Sequence, residues 1–272
     1  MSQWSNSSLS TLQDCGERYR RRYIEREARP SFVRQLRGSV VHRVVQSALT
    51  RKWKQRALPS VTEARDLAAT EFDLAWRAGV TLTREDQARG AKAVAGETKD
   101  FAVNVAGYHV QAVAPAIEPI AVERRIVVKP ADSDLEIVGT IDLIDRQPGG
   151  EVIVDTKTSE KSPPKDAADN SQQLSLFALI RWAETHEIPG RLKLDYLVRT
   201  PKEHQQKHIP LHTTRSMEDL SVMVRRLNTA VEAVKKGVFI PANPSAWYCS
   251  ANWCEYYTDC PFVRRGDTRP TN

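Results

Sequence analysis

Two aspartates and a lysine stand close together in the segment VGTIDLIDRQPGGEVIVDTKT, residues 138–158. Asp142 and Asp155 flank Gln147-Pro148-Gly149-Gly150, a turn signal between two apolar runs, so the segment reads as an antiparallel hairpin. Pairing that is symmetric about the middle of the turn sets Arg146 against Glu151 and, by the same count, Asp142 against Asp155. Directly opposed side chains in such a ladder lie about 4.5–5.5 Å apart, and like charges there are destabilising. Burial against an apolar sheet face adds to the repulsion unless a proton or a cation neutralises it. A divalent cation meets that need, because carboxylate oxygens are the ligands that Mg²⁺ and Mn²⁺ prefer. Lys157 lies two residues past Asp155, on the same face of the strand. An ammonium there can orient an attacking water or stabilise charge developing on a phosphate, while the ion polarises the phosphoryl oxygen. The alternative places both aspartates on a solvent face with Lys157 as a surface partner, and a β-bulge would break the register.

Four cysteines form a second constellation. Cys15 stands near the N-terminus, and Cys249, Cys254 and Cys260 crowd near the other end. In a chain of reducing compartments such thiols point to a metal or cluster site rather than to disulfides. Trp247, Tyr248, Trp253, Tyr256 and Tyr257 surround the three C-terminal cysteines. They either shield a cluster, the favoured reading, or stack on unpaired bases.

The elements that must position these residues follow from periodicity. Val40, Val41, Val44, Val45, Ala48 and Leu49 make an apolar stripe on a helix from about Ser39 to Arg56. Ser60 with Glu63 is a capping box for a second helix that stops near Gly79. A third runs from about Arg84 to Tyr108. Strands are expected at Ile120–Lys129, Leu135–Arg146, Glu151–Lys157, Leu192–Arg199 and Gln206–His212. Helices are expected from about Ala167 to Glu187 and from Ser216 to Lys236. The fold class is therefore α/β (α+β): a helical N-terminal half, residues 1–110, then a mixed central sheet flanked by helices over residues 111–240. A cysteine-bearing lobe, residues 241–262 with Cys15, completes a single domain of 1–272.

Charge is unevenly spread. Between Arg18 and Arg56 thirteen Lys/Arg face two acids, a local balance of +11 within a net charge of +6. The asymmetry suggests either a basic face for a polyanion or a solvated, Arg-rich helical surface. No apolar run reaches the roughly 18–20 residues of a membrane span, and the N-terminus lacks a secretory pattern, so a cytoplasmic protein without membrane contact is expected.

Gly139-Thr140-Ile141-Asp142, Asp155-Thr156-Lys157 and the downstream Gln173-Leu174-Ser175-Leu176-Phe177 resemble the motifs of RecB-type PD-(D/E)XK nucleases. Arg37-Gly38-Ser39-Val40-Val41-His42 resembles that family's G-x-x-x-H helix, and Phe177 stands where the family usually has Tyr. The resemblance implies a restriction-endonuclease-like core. It implies a metal site of His42, Asp142, Asp155 and the Thr156 carbonyl, with Lys157 beside the attacking water and Gln173 at the rim. Cys15, Cys249, Cys254 and Cys260, with the Ser8–Tyr19 opening, resemble the iron–sulfur subclass: AddB-type, CRISPR-associated and exonuclease V-like members. Those cysteines would hold a [4Fe–4S] cluster that staples the chain's ends, with Cys₄ zinc as the competing assignment.

The implied activity is a Mg²⁺- or Mn²⁺-dependent DNA exonuclease that prefers single-stranded ends, in recombination, repair or phage-type processing. Arg20, Arg21, Arg22 and Arg37 are the candidate DNA contacts. No G-x-x-x-x-G-K-[ST] loop occurs, so the chain reads as a standalone nuclease or as one that borrows a helicase or recombination protein as partner. The alternative is a catalytically inactive iron–sulfur or zinc DNA-binding subunit of such a complex.

Overall fold

The computed structural model describes residues 2–130 and 135–263. Strand β1 is Ser2–Trp4, followed by helices α1 (Asn6–Asp14), α2 (Gly16–Tyr19), α3 (Val33–Gln55), α4 (Val61–Arg77), α5 (Arg84–Arg89) and α6 (Ala91–Tyr108). Strands β2 (Pro119–Val128), β3 (Leu135–Gln147) and β4 (Gly150–Ser159) come next, then α7 (Gln172–Thr185), β5 (Leu192–Arg199), β6 (Gln206–Thr213) and α8 (Met217–Lys235).

The strands form one mixed sheet. β1 and β4 run parallel to β3 and β5 respectively, while the β2/β3, β3/β4 and β5/β6 pairs are antiparallel. β3 has β2 along one edge. Its other edge is divided: β1 pairs with Leu135–Ile137 and β4 with Leu143–Gln147. Residues 138–142 lie between these partners, so a gap opens in the sheet at Asp142.

Each face of the sheet carries its own helical layer. On one, Ile144, Ile153, Leu192 and Leu194 pack against Leu174, Phe177 and Ile180 of α7 and Leu220, Met223 and Leu227 of α8. On the other, Leu143, Val152, Val154 and Leu197 meet the Val40–Leu49 stripe of α3 with Phe72 of α4 and Phe101 and Val105 of α6. β4 alternates between the two, as a strand buried on both faces must. The predicted stripe is thus the buried face of α3, and the Ser60–Glu63 capping box closes in both directions, at 3.1 and 2.6 Å.

Two local expectations change. The helix expected from Arg84 to Tyr108 is broken at Gly90, whose φ of +88° ends α5 and begins α6. The opening of the helical half contributes a strand, β1, which buries Trp4 completely. Three residues are too few for a visible period, so only the pairing with β3 makes them a strand.

The C-terminal lobe has turns and a short helical turn at Tyr257–Asp259 in place of a core. It is anchored to the N-terminal segment. Gly16 N–H donates to Ile240 C=O at 2.7 Å, and a Cβ on Gly16 would fall 2.5 Å from that backbone. Arg18 pairs with Glu255 at 2.7 Å, Arg21 with Asp259 at 2.6 Å, and Tyr256 Oη donates to Glu27 C=O at 2.6 Å. Among the described residues no helix is long and apolar enough to cross a membrane.

Candidate active site

The β2/β3 register runs through Val122–Leu143 and Arg124–Ile141, which sets Glu123 opposite Asp142. Strict alternation would put Val122, Arg124 and Ile126 on one face. Instead Val122 packs with the α3 layer, Arg124 reaches Glu184 of α7, and Ile126 belongs to the α7 layer. The change of phase occurs at Glu123, whose φ of +51° is unusual for a residue with a side chain.

α3 brings His42 to this point. Its Nε2 lies 2.9 Å from Asp142 Oδ2 and 3.6 Å from Glu123 Oε1, and one ligand atom from each of the three lies within 4.8 Å of the others. The Asp142 carboxylate holds the imidazolium form of His42, raising its pKa against an opposing effect of burial. Burial raises the Glu123 pKa, His42 opposes the shift and Asp142 adds to it. Glu123 Oε1 is buried and accepts no hydrogen bond.

The hairpin register is the symmetric one, Arg146 opposite Glu151, as far as Leu143 opposite Val154. The ladder stops there, one pair short of Asp142 and Asp155. Asp142 Oδ2 instead accepts the Thr156 N–H at 3.0 Å, and β4 continues beside β5 alone. In an extended strand the N–H and C=O of one residue point to the same edge, so the Thr156 carbonyl also faces the gap.

Asp155 is 1% exposed, and Lys157 Nζ pairs with its Oδ2 at 2.7 Å. Burial pushes the Asp155 carboxyl up to about 6; Lys157 opposes this, Asp142 adds to it and His42 opposes it. Lys157 Nζ also donates to Gln173 Oε1 at 2.8 Å. Gln173 reaches it because α7 presses on β3: a Cβ on Gly139 would fall 2.4 Å from Ile180 Cδ1. Phe177, one turn after Gln173, is buried in that contact, so this position packs rather than presenting a polar group.

The structure thus joins His42, Asp142, Thr156, Asp155, Lys157 and Gln173, and adds Glu123, which the sequence reading missed. The available signal was the lone acid in the predicted strand Ile120–Lys129. The arginines are dispersed. Arg20 pairs with Glu17 and Glu25, and Arg21 is 8% exposed between Glu27 and Asp259. Arg22 lies 3.7 Å from Glu255, and Arg37 pairs with Glu160.

Cys15, Cys249, Cys254 and Cys260 line one cavity together with Tyr248, Tyr256 and Tyr257. Cys15 Sγ accepts the Arg18 and Ala242 N–H groups at 3.4 and 3.3 Å. Among the described residues no three sulfurs lie within 4.8 Å of one another. Burial pushes the Cys254 thiol up to about 11.

A mixed sheet between two helical layers, with acids, a histidine and a lysine at a gap between its central strands, is an architecture for metal-assisted phosphodiester chemistry. The family model described as PD-(D/E)XK nuclease superfamily matches residues 3–261, and the chain belongs to that superfamily of metal-dependent nucleases. Among curated proteins none matches. A solved structure titled "Crystal structure of SSO0001" is 13% identical, covering 88% of this chain and 89% of that one, with a TM-score of 0.34.

Proposed function

We propose that the chain is a Mg²⁺- or Mn²⁺-dependent deoxyribonuclease that acts as an exonuclease on single-stranded ends in recombination, repair or phage-type DNA processing. The observation that carries the metal-dependent reading is the convergence of His42, Glu123 and Asp142 beside the Asp155–Lys157 pair. The donor set fits a hard divalent ion: one imidazole nitrogen, three carboxylates and a backbone carbonyl. Glu123 Oε1, buried and without a hydrogen bond, is the kind of atom a cation would satisfy. His42, Asp142, Asp155, Glu123 and the Thr156 carbonyl would hold the ion.

When bound, such an ion lowers the pKa of water and polarises the phosphoryl oxygen. The chain's own groups do the rest. Lys157, aimed by Asp155 and Gln173, would offer a positive charge to the attacking water and to the charge developing on the phosphate. The Thr156 N–H fixes one oxygen of Asp142 and so sets the direction of the carboxylate. End-directed action and the preference for single strands follow the resemblance to RecB-type nucleases.

For the four cysteines we propose a [4Fe–4S] cluster. A zinc tetrahedron with bonds of about 2.3 Å draws its sulfurs to within about 4 Å of each other. Among the described residues no three sulfurs lie within 4.8 Å of one another, so the choice of the cluster over zinc rests on the resemblance to the iron–sulfur nucleases. The N–H donors to Cys15 suit a cluster thiolate. Its role would be to staple the lobe to α1 and α2, and a helicase or recombination protein would present the DNA.

The test is degradation of end-labelled DNA with Mg²⁺ or Mn²⁺ by wild type, Asp155→Ala and Lys157→Ala. Loss of hydrolysis in both variants is expected; undiminished hydrolysis in both overturns the mechanism. Visible absorption of anaerobically purified protein tests the cluster, and a colourless zinc protein excludes it.

A further inference from the structure

The aromatic residues of the C-terminal lobe divide into two groups in space. Tyr248, Tyr256 and Tyr257 line the cysteine cavity, whereas Trp247 and Trp253 lie outside it, 64% and 39% exposed. Shielding of a cluster therefore accounts for the tyrosines and leaves the tryptophans unexplained. The two indoles meet edge to face with centroids 4.6 Å apart. The Arg34 guanidinium sits on Trp253, 3.3 Å from the ring centroid, and donates to Asn252 C=O. The pair is thereby fixed to the first turn of α3.

Trp253, Arg34 and Arg37 line a cleft of about 610 Å³ that extends to Thr158 and Ser159, the residues that follow Lys157 in β4. The cleft's charges largely cancel: Arg37 pairs with Glu160, and Arg89 pairs with Glu97. Net charge alone gives a nucleic acid little reason to enter. An indole backed by a guanidinium does, because every base has a π-face and stacking on it is tolerant of sequence. A base within a duplex has both faces covered by its neighbours.

We propose that Trp253, seated on Arg34 with Trp247 at its side, is a stacking site for an unpaired nucleobase of the strand whose phosphodiester lies at Lys157. The cleft thereby selects single-stranded over paired DNA. This inference rests on the nuclease reading for the position of the scissile bond.

Binding is measured by fluorescence anisotropy on the full chain in EDTA, where hydrolysis cannot interfere. The ligands are a labelled single strand, the same strand with abasic sites, and a blunt duplex. The wild type should bind the abasic strand about tenfold more weakly than the intact one. Trp253→Ala should bind the intact strand about tenfold more weakly, lose discrimination against abasic sites and leave duplex binding unchanged, and Trp253→Phe should restore most of the loss. Equal wild-type affinity for intact and abasic strands overturns the proposal, and that comparison needs no variant to fold. A wild type that discriminates against abasic sites yet cuts nothing with Mg²⁺ or Mn²⁺ refutes the nuclease reading and leaves the stacking site standing. One that cuts but does not discriminate does the reverse.

Discussion

Glu123 stands directly across the β2/β3 ladder from Asp142, and His42 Nε2 reaches toward both, at 3.6 and 2.9 Å. The left-handed backbone of Glu123 and its buried, unbonded Oε1 both cost stability in the protein without an ion. Such costs persist where they serve a site. Glu123→Gln removes the buried charge, whose loss of solvation is the largest influence on this carboxyl, and should raise the Tm measured in EDTA while weakening Mn²⁺ binding about tenfold by titration calorimetry. Unchanged Mn²⁺ affinity would remove Glu123 from the ligand set.

Lys157 and Gln173 act in series, and their variants should differ in degree. Removing the ammonium with Lys157→Ala should lower kcat by about 10²-fold or more, the scale seen when a group stabilising transition-state charge is lost. Gln173→Ala leaves the ammonium on Asp155 but frees its direction, and a loss of about tenfold is expected, chiefly in kcat. Steady-state kinetics on a labelled strand check both. Equal losses would mean that Gln173 itself touches the substrate.

Gly16 is one of the points where the N-terminal segment meets the C-terminal part of the chain. Its Cβ position is filled by the backbone of Phe239 and Ile240, which cannot rotate away as a side chain would. Gly16→Ala should cost about 1–3 kcal/mol in urea unfolding and open the 239–242 segment to proteolysis. A variant with wild-type stability and protease resistance would show that the lobe is held by its cysteines and ion pairs alone.

Much of this was legible along the chain. The hairpin register is local, so a turn signal and a count sufficed as far as Leu143–Val154. Where β4 leaves β3 was not legible, because it depends on the Thr156 N–H turning to a side chain in place of a strand. Glu123 escaped for a related reason: its direction comes from one positive φ, which an acid in a β-branched run does not announce. The basic segment shows a different limit. Glu255 and Asp259, which pair with Arg18 and Arg21, lie more than two hundred residues away, so a local charge count could not include them.

A buried polar cluster on β5 and β6 should make the fold sensitive to acid. Asp195 accepts from His208 Nε2 at 2.5 Å and pairs with Lys193 at 3.1 Å, beneath the buried His109. Burial pushes His109 down to about 4; Asp195 opposes this, and His208 and Lys193 add to it. His109 is therefore neutral in the folded protein at pH values where the unfolded chain, with a pKa near 6.5, takes up a proton. Stability should fall as the pH drops from about 6.5 to about 4, by about 3 kcal/mol from this residue, with no further loss from it below that window. His109→Leu removes the titration. Urea unfolding at pH 7, 5.5 and 4.5 should then show a shallower acid decline for the variant than for the wild type, and parallel declines would assign the effect to other groups.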